Sequence, residues 1–314
     1  MERSIVQQTT VSETVAKTTK KTWKDYLEVT KPGINTHNLL VTFAGFWLAA
    51  GLQTLHHFPL LLLTLLGTML VIAGSCTLNN FYDRDIDPYM TRTKNRAVAD
   101  GRIKPSTALW LGIWLSFAGF CVLAIGVNPL SALLAFIGFF TYVFIYTMWL
   151  KRKSTWSTVI GGISGAVPPL IGWTAYTHSI DFSALALFLI LFTWQPPHFF
   201  ALAMLKTEEY RKARVPMLPV VKGSLETKKQ TLLFTLLLLP SSLVLFYTGV
   251  SSWVYLVVAL LMGVIYIALS IKGFQVGNDK KWAKQMFLFS LLYLTVIFFV
   301  VIIDVAVMEW IYKS

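Results

Sequence analysis

Apolar runs of bilayer-spanning length recur along the chain between short polar stretches, and this pattern predicts an all-α, polytopic transmembrane helical bundle of about nine spans. The runs fall at roughly 38–56, 59–80, 106–126, 129–149, 156–176, 182–204, 231–249, 252–271 and 284–303. The first of them already has span length, so nothing reads as a removable signal peptide. Residues 1–36 are expected to form a Thr- and Lys-rich cytoplasmic tail, unstructured before Trp23. Within it Trp23, Tyr26 and Leu27 make the apolar edge of a short interfacial helix. Residues 37–314 read as a single transmembrane domain.

Composition agrees with this class: 55% of residues are hydrophobic and only 13% are charged. A net charge of +12 would suit nucleic acid, but its placement says otherwise. With the N-terminus in the cytoplasm, all but Lys313 of the 27 Lys and Arg residues fall in inner segments. This is the positive-inside bias, and no nucleic-acid partner is needed to explain it. Cys76 and Cys121 lie inside apolar runs and read as small buried hydrophobes rather than a disulfide.

Charge inside or beside a span is expensive and marks function. The second run ends in Asn79-Asn80-Phe81-Tyr82-Asp83-Arg84-Asp85-Ile86-Asp87. On a helix, four-residue steps turn about 40° and rise about 6 Å, so Asn79, Asp83 and Asp87 form one stripe and Asp85 faces elsewhere. Pro88 is expected to end that helix at Asp87. Three oxygen-bearing side chains suit Mg2+, completed by water and substrate phosphate. The loop beyond supplies Arg92 and Arg96, whose forks match phosphate oxygens.

Spans two, four and six run in the same direction, so their polar ends should converge. Span four ends in Tyr146, Lys151 and Arg152; span six carries Trp194-Gln195-Pro196-Pro197-His198-Phe199. The proline pair is expected to kink span six beside a water-accessible cavity. His37, at the inner mouth of span one, is a further candidate contact. In span five, Gly161, Gly162 and Gly165 read as close-packing positions before Pro168-Pro169.

The Asn79, Asp83 and Asp87 spacing, with Arg92-Thr-x-x-Arg96 behind it, resembles the first signature of UbiA-type intramembrane prenyltransferases. Thr30-Lys31-Pro32, Tyr146-Thr-x-x-Leu-Lys-Arg152, Trp194–Phe199 and Pro216-Met-Leu-Pro219 are similar to the protoheme-farnesylating branch, over roughly residues 28–310. The resemblance implies a transferase of the cell inner membrane, its site facing the cytoplasm, that moves the farnesyl group of farnesyl diphosphate to protoheme IX. It implies Asn79, Asp83 and Asp87 as Mg2+ ligands and catalytic residues with His198. Arg92, Arg96, Tyr146, Lys151, Arg152, Trp194 and Gln195 would then bind substrate. Haem A synthase is an implied partner besides the lipid bilayer.

The chain departs from the wider superfamily in carrying Gln195 and His198 where a second Asp-x-x-x-Asp set is common, and Asn80 where Asp is common. A related enzyme acting on a quinone precursor would share the first signature but not Trp194–His198. A secondary transporter would also show broken helices, yet it gathers coupling acids near the bilayer centre rather than at one face.

Overall fold

Proline and small polar residues set where the helices begin. The computed structural model describes residues 22–313, so the tail expected before Trp23 lies outside the described residues except for Thr22. Proline occupies the first turn of α2 (Pro32–Ala50), α3 (Phe58–Tyr82), α4 (Pro105–Gly126) and α5 (Pro129–Phe140). Its fixed φ suits that position, and its missing N–H costs nothing there. Asn128 caps α5 with its side chain, accepting from the Ser131 N–H at 2.8 Å. Ahead of α2, α1 (Trp23–Val29) is the short helix expected from Trp23, Tyr26 and Leu27.

Span four changes character after α5. Residues Thr141–Leu150 are π-helical, wider than an α-turn, before a last turn at Lys151–Lys153. Span five comprises two half-helices, α6 (Ser157–Ala166) and α7 (Pro168–Thr177), which meet at Val167 just ahead of the two prolines that lack backbone donors. Thus eight long apolar helices among the described residues can cross a membrane uninterrupted, and the broken α6–α7 pair occupies the predicted fifth position. The remaining long helices are α8 (Phe182–Leu205), α9 (Gly223–Tyr247), α10 (Trp253–Lys272) and α11 (Asp279–Lys313).

α8 continues through Pro196 and Pro197, while the fifth span has a gap in its helix at Val167. One expectation is corrected here. The second span stops being α-helical at Tyr82, not Asp87; Asp83–Asp85 and Asp87–Tyr89 are separate 3-10 turns. The acid stripe is therefore not a single helical face.

Close backbone approach locks α2 to α7. A Cβ on Gly45 would stand 2.0 Å from the Pro169 carbonyl oxygen, and one on Gly172 would stand 1.9 Å from that of Thr42. Glycine is required at both places because backbone, not a flexible side chain, fills the space. The glycines of α6 behave differently. A Cβ on Gly161 would meet the Tyr146 ring at 2.7 Å, and one on Gly165 would meet the Gln195 amide at 2.3 Å. They make room for side chains rather than for another helix.

Gly172→Ala should destabilise the protein by about 2 kcal/mol or more, the scale of overpacking in a filled interior. Gly277→Ala, with nothing within 4 Å of the added carbon, serves as the control. Thermal unfolding in detergent would compare them, and equal melting would contradict the lock between α2 and α7.

Candidate functional site

The end of α3 is polar because its last turn faces other charged segments rather than lipid. Asn79, Asp83 and Asp87 are all buried, with both carboxylates wholly inaccessible. Asn79 donates its amide to Asp83 Oδ2 at 2.7 Å and to Thr147 Oγ1 at 3.1 Å. Lys151, from the turn after the π-helical stretch, pairs with Asp83. Arg96 grips both oxygens of Asp87, at 2.8 and 2.9 Å. Burial raises the Asp87 carboxyl above its ordinary range, and Arg96 opposes that rise. Asn80 bonds the Val29 carbonyl at 2.8 Å and the Cys76 carbonyl at 3.0 Å, which ties α1 to α3 and explains why an amide stands there.

In the sequence Lys31 counted among the inner charges and in the Thr30-Lys31-Pro32 motif, with no role in the site. Here it adopts a left-handed conformation, φ 51°, and turns its ammonium onto Asn79 Oδ1. Desolvation, then Arg96, lower its pKa to about 8. The signal was present in Thr30-Lys31-Pro32: a lysine directly before a helix-starting proline cannot lie far from the span's mouth.

A cavity of about 510 Å³ opens beside these groups. Along α3 it reaches from Asn79 back to Thr68, eleven residues or about 16 Å at helical rise. Lys31, Arg92, Arg96 and Lys151 line its charged end, and Tyr142 and Tyr146 stack at 5.7 Å along one wall. Trp194, Gln195 and His198 line it from α8, and His37 joins them from α2. The predicted convergence of spans two, four and six is therefore observed. Gln195 is held by the Gly162 carbonyl at 2.9 Å. The Trp194 indole bonds the Ser290 carbonyl at 2.7 Å. The His198 ring stacks on Trp194 and Phe287 at 4.8 and 4.7 Å. Tyr210 and Met217 also line the cavity, Met217 from the Pro216-Met-Leu-Pro219 motif and Tyr210 from the segment before it, to neither of which the sequence assigned a site role.

Arg152 does not join them. It forks Asp85 with two 2.7 Å bonds and lies over the Tyr82 ring at 4.7 Å, outside the cavity lining. Asp85 takes the nearer claim on its charge; Asp83 Oδ1 is 3.8 Å away. In this arrangement Arg152 clamps the end of α3 and the turn after it to the end of span four.

Among the described residues no three His, Cys, Asp or Glu side chains cluster as a metal-binding set. The local donors nevertheless fit a hard cation that keeps water and phosphate oxygens in its shell. Asp83 Oδ1 is buried and has no hydrogen-bond partner, which is the opening a cation would fill. Asn79 stands beside it, while Asp87 is engaged by Arg96.

The chain matches the UbiA prenyltransferase family over residues 38–292. It is 46% identical over 302 residues to protoheme IX farnesyltransferase 2 of Bacillus subtilis, covering 95% of this chain and 97% of the relative. It is 48% identical over 292 residues to protoheme IX farnesyltransferase of Alkalihalophilus pseudofirmus, covering 92% of each. Two solved structures share the fold at 18% identity. One, described as digeranylgeranylglyceryl phosphate synthase, has a TM-score of 0.77 over 90% of this chain and 98% of its own. A UbiA homolog from Archaeoglobus fulgidus bound to DMAPP and Mg2+ has a TM-score of 0.67 over 88% of this chain and 99% of its own. With the motifs on one cavity and the match running through most of its length, this chain belongs to the UbiA prenyltransferase family.

Proposed function

We propose that this chain transfers the farnesyl group of farnesyl diphosphate to a vinyl group of protoheme IX, giving haem O. The observation that carries the reading is one cavity with Asn79 and four cations at its mouth, two of them paired to the buried carboxylates of Asp83 and Asp87 behind it, and a tethered imidazole beside an indole farther along. The relatives named for this reaction support the choice of acceptor. The positive-inside bias supports a cytoplasmic mouth in the cell membrane. Haem A synthase is the proposed recipient of the product.

Lys31, Arg92, Arg96 and Lys151 surround the diphosphate and hold it at the mouth. Asn79 and Asp83, with Asp87, would hold Mg2+, which when bound neutralises charge on the departing diphosphate. The allylic carbon–oxygen bond breaks, and both its electrons leave with diphosphate. Tyr142 and Tyr146 present ring faces along the path and shield the allylic cation, while the apolar walls exclude bulk water. The vinyl carbon of the porphyrin attacks that cation and forms the new carbon–carbon bond. Water then adds to the remaining vinyl carbon and loses a proton, leaving a hydroxyl. Trp194 and His198 hold the porphyrin for the attack.

Asp83→Asn should lower turnover by about 100-fold or more, since it removes charge that stabilises the leaving group's surroundings. Asp85→Asn should be far milder, because its carboxylate is exposed to solvent and engaged by Arg152, whereas that of Asp83 is buried. Steady-state turnover of both variants decides it, and equal losses would remove Asp83 from its assigned role.

Arg92→Ala and Arg96→Ala should each weaken farnesyl diphosphate binding by about tenfold while leaving haem binding near its original value. Only Arg96→Ala should also lower thermal stability, because it strands the buried Asp87. Separate titration of the two substrates tests this, and a selective loss of haem affinity would reassign either arginine to the propionates.

His198→Ala should abolish haem O formation yet keep farnesyl diphosphate binding. His178→Asn is the control: it sits at φ 56°, which Asn tolerates, at the far end of α7. Product analysis by mass spectrometry reads both, and a fully active His198→Ala enzyme would return that histidine to packing.

A further inference from the structure

Ser290 of α11 stands behind the cavity wall, fully buried, and touches two of the residues that face the proposed acceptor. Its backbone carbonyl accepts from Trp194 Nε1 at 2.7 Å, and its side-chain oxygen lies 2.7 Å from His198 Nδ1. A serine hydroxyl has one proton to donate and two lone pairs to accept with. The Phe287 carbonyl stands 2.6 Å from that hydroxyl in the same helix and is an acceptor for its proton. With the proton on that bond, the Ser290 oxygen is the acceptor and the proton shared with His198 belongs to Nδ1. A neutral imidazole protonated at Nδ1 carries its lone pair on Nε2.

The ring's surroundings keep that assignment in place. Trp194 and Phe287 stack against it, and Phe199 meets it edge-on at 5.1 Å. His198 lines the cavity and Ser290 does not, so the Nδ1 edge turns to the wall and the opposite edge is left for the occupant. A protonated Nε2 could only donate, to a water or a carboxylate. An unprotonated one can give its electron pair to a metal.

We propose that Ser290 is a positioning residue that fixes His198 as the Nδ1–H tautomer and thereby offers Nε2 to the iron of a metalloporphyrin acceptor. The assignment rests on the haem acceptor proposed above. It follows the general pattern in which the second nitrogen of a metal-bound imidazole is set by a hydrogen-bond partner outside the metal's own shell. Trp194 binds the backbone of Ser290, so replacing the side chain frees the imidazole without releasing the indole.

Wild-type, Ser290→Ala, Ser290→Thr and His198→Ala proteins, purified in detergent, are to be titrated with haemin and with metal-free protoporphyrin IX while the absorption spectrum is followed. Wild type should shift the Soret band of haemin, and His198→Ala should lose that shift. Ser290→Ala should weaken haemin binding about tenfold, the usual effect of removing such a partner, and alter the shifted band. Its affinity for metal-free porphyrin should be unchanged, and Ser290→Thr should restore the wild-type spectrum. A Ser290→Ala protein with wild-type spectrum and affinity overturns the proposal. So does an equal loss for haemin and metal-free porphyrin, which marks a packing defect, or a His198→Ala protein that keeps the shift. If wild type behaves as described but forms no farnesylated product, the proposed reaction fails while the role of Ser290 stands.

Discussion

Two carboxylates buried at the edge of a membrane bundle have to be matched by cations, and the mouth of the site is organised around that requirement. An ionised group there is tolerated only when paired and hydrogen-bonded. Asp83 and Asp87 draw their partners from separated parts of the chain: Lys151 from the end of span four, and Arg96 from the loop after α3. Lys31 enters from the start of α2 through Asn79. Three segments far apart in sequence are thereby held to the end of one helix. The cavity opens where they meet.

Farther in, polarity gives way to shape. The α2–α7 lock depends on two glycines facing backbone, while the α6 glycines leave room for Tyr146 and Gln195 on the cavity wall. The break at Pro168 separates these two uses of small residues within one span. The upper half-helix packs backbone to backbone, and the lower half yields space to side chains.

Much of this was legible because a bilayer leaves few options. Only long apolar helices satisfy their own backbone in lipid, so the spans followed from hydropathy. The acids stood out for the same reason. What could not be read depended on packing between distant segments. Both Pro-Pro pairs look alike in sequence, yet one breaks its helix and the other does not. The π-helical stretch at Thr141–Leu150 has no residue signature of its own. Arg152 carries the charge expected of a substrate ligand, and only the fold reveals Asp85 in its path. Ser290 is one more serine in an apolar run until His198 is placed against it. Lys31 sat inside a recognised motif, but its left-handed turn toward Asn79 was invisible.

The α3 mouth also has an uneven charge count with a kinetic meaning. Lys31, Arg92, Arg96 and Lys151 line the charged end of the cavity against the carboxylates of Asp83 and Asp87, leaving positive charge in excess before any substrate arrives. Low-dielectric walls around one sign of charge focus its field outward, which raises the encounter rate for an anion and leaves a neutral isoprenoid unaided. Because the Debye length is about 8 Å at physiological ionic strength, that attraction acts over the last approach rather than across the membrane surface. The mouth thus sorts molecules by charge on arrival, before the shape of the interior has any say.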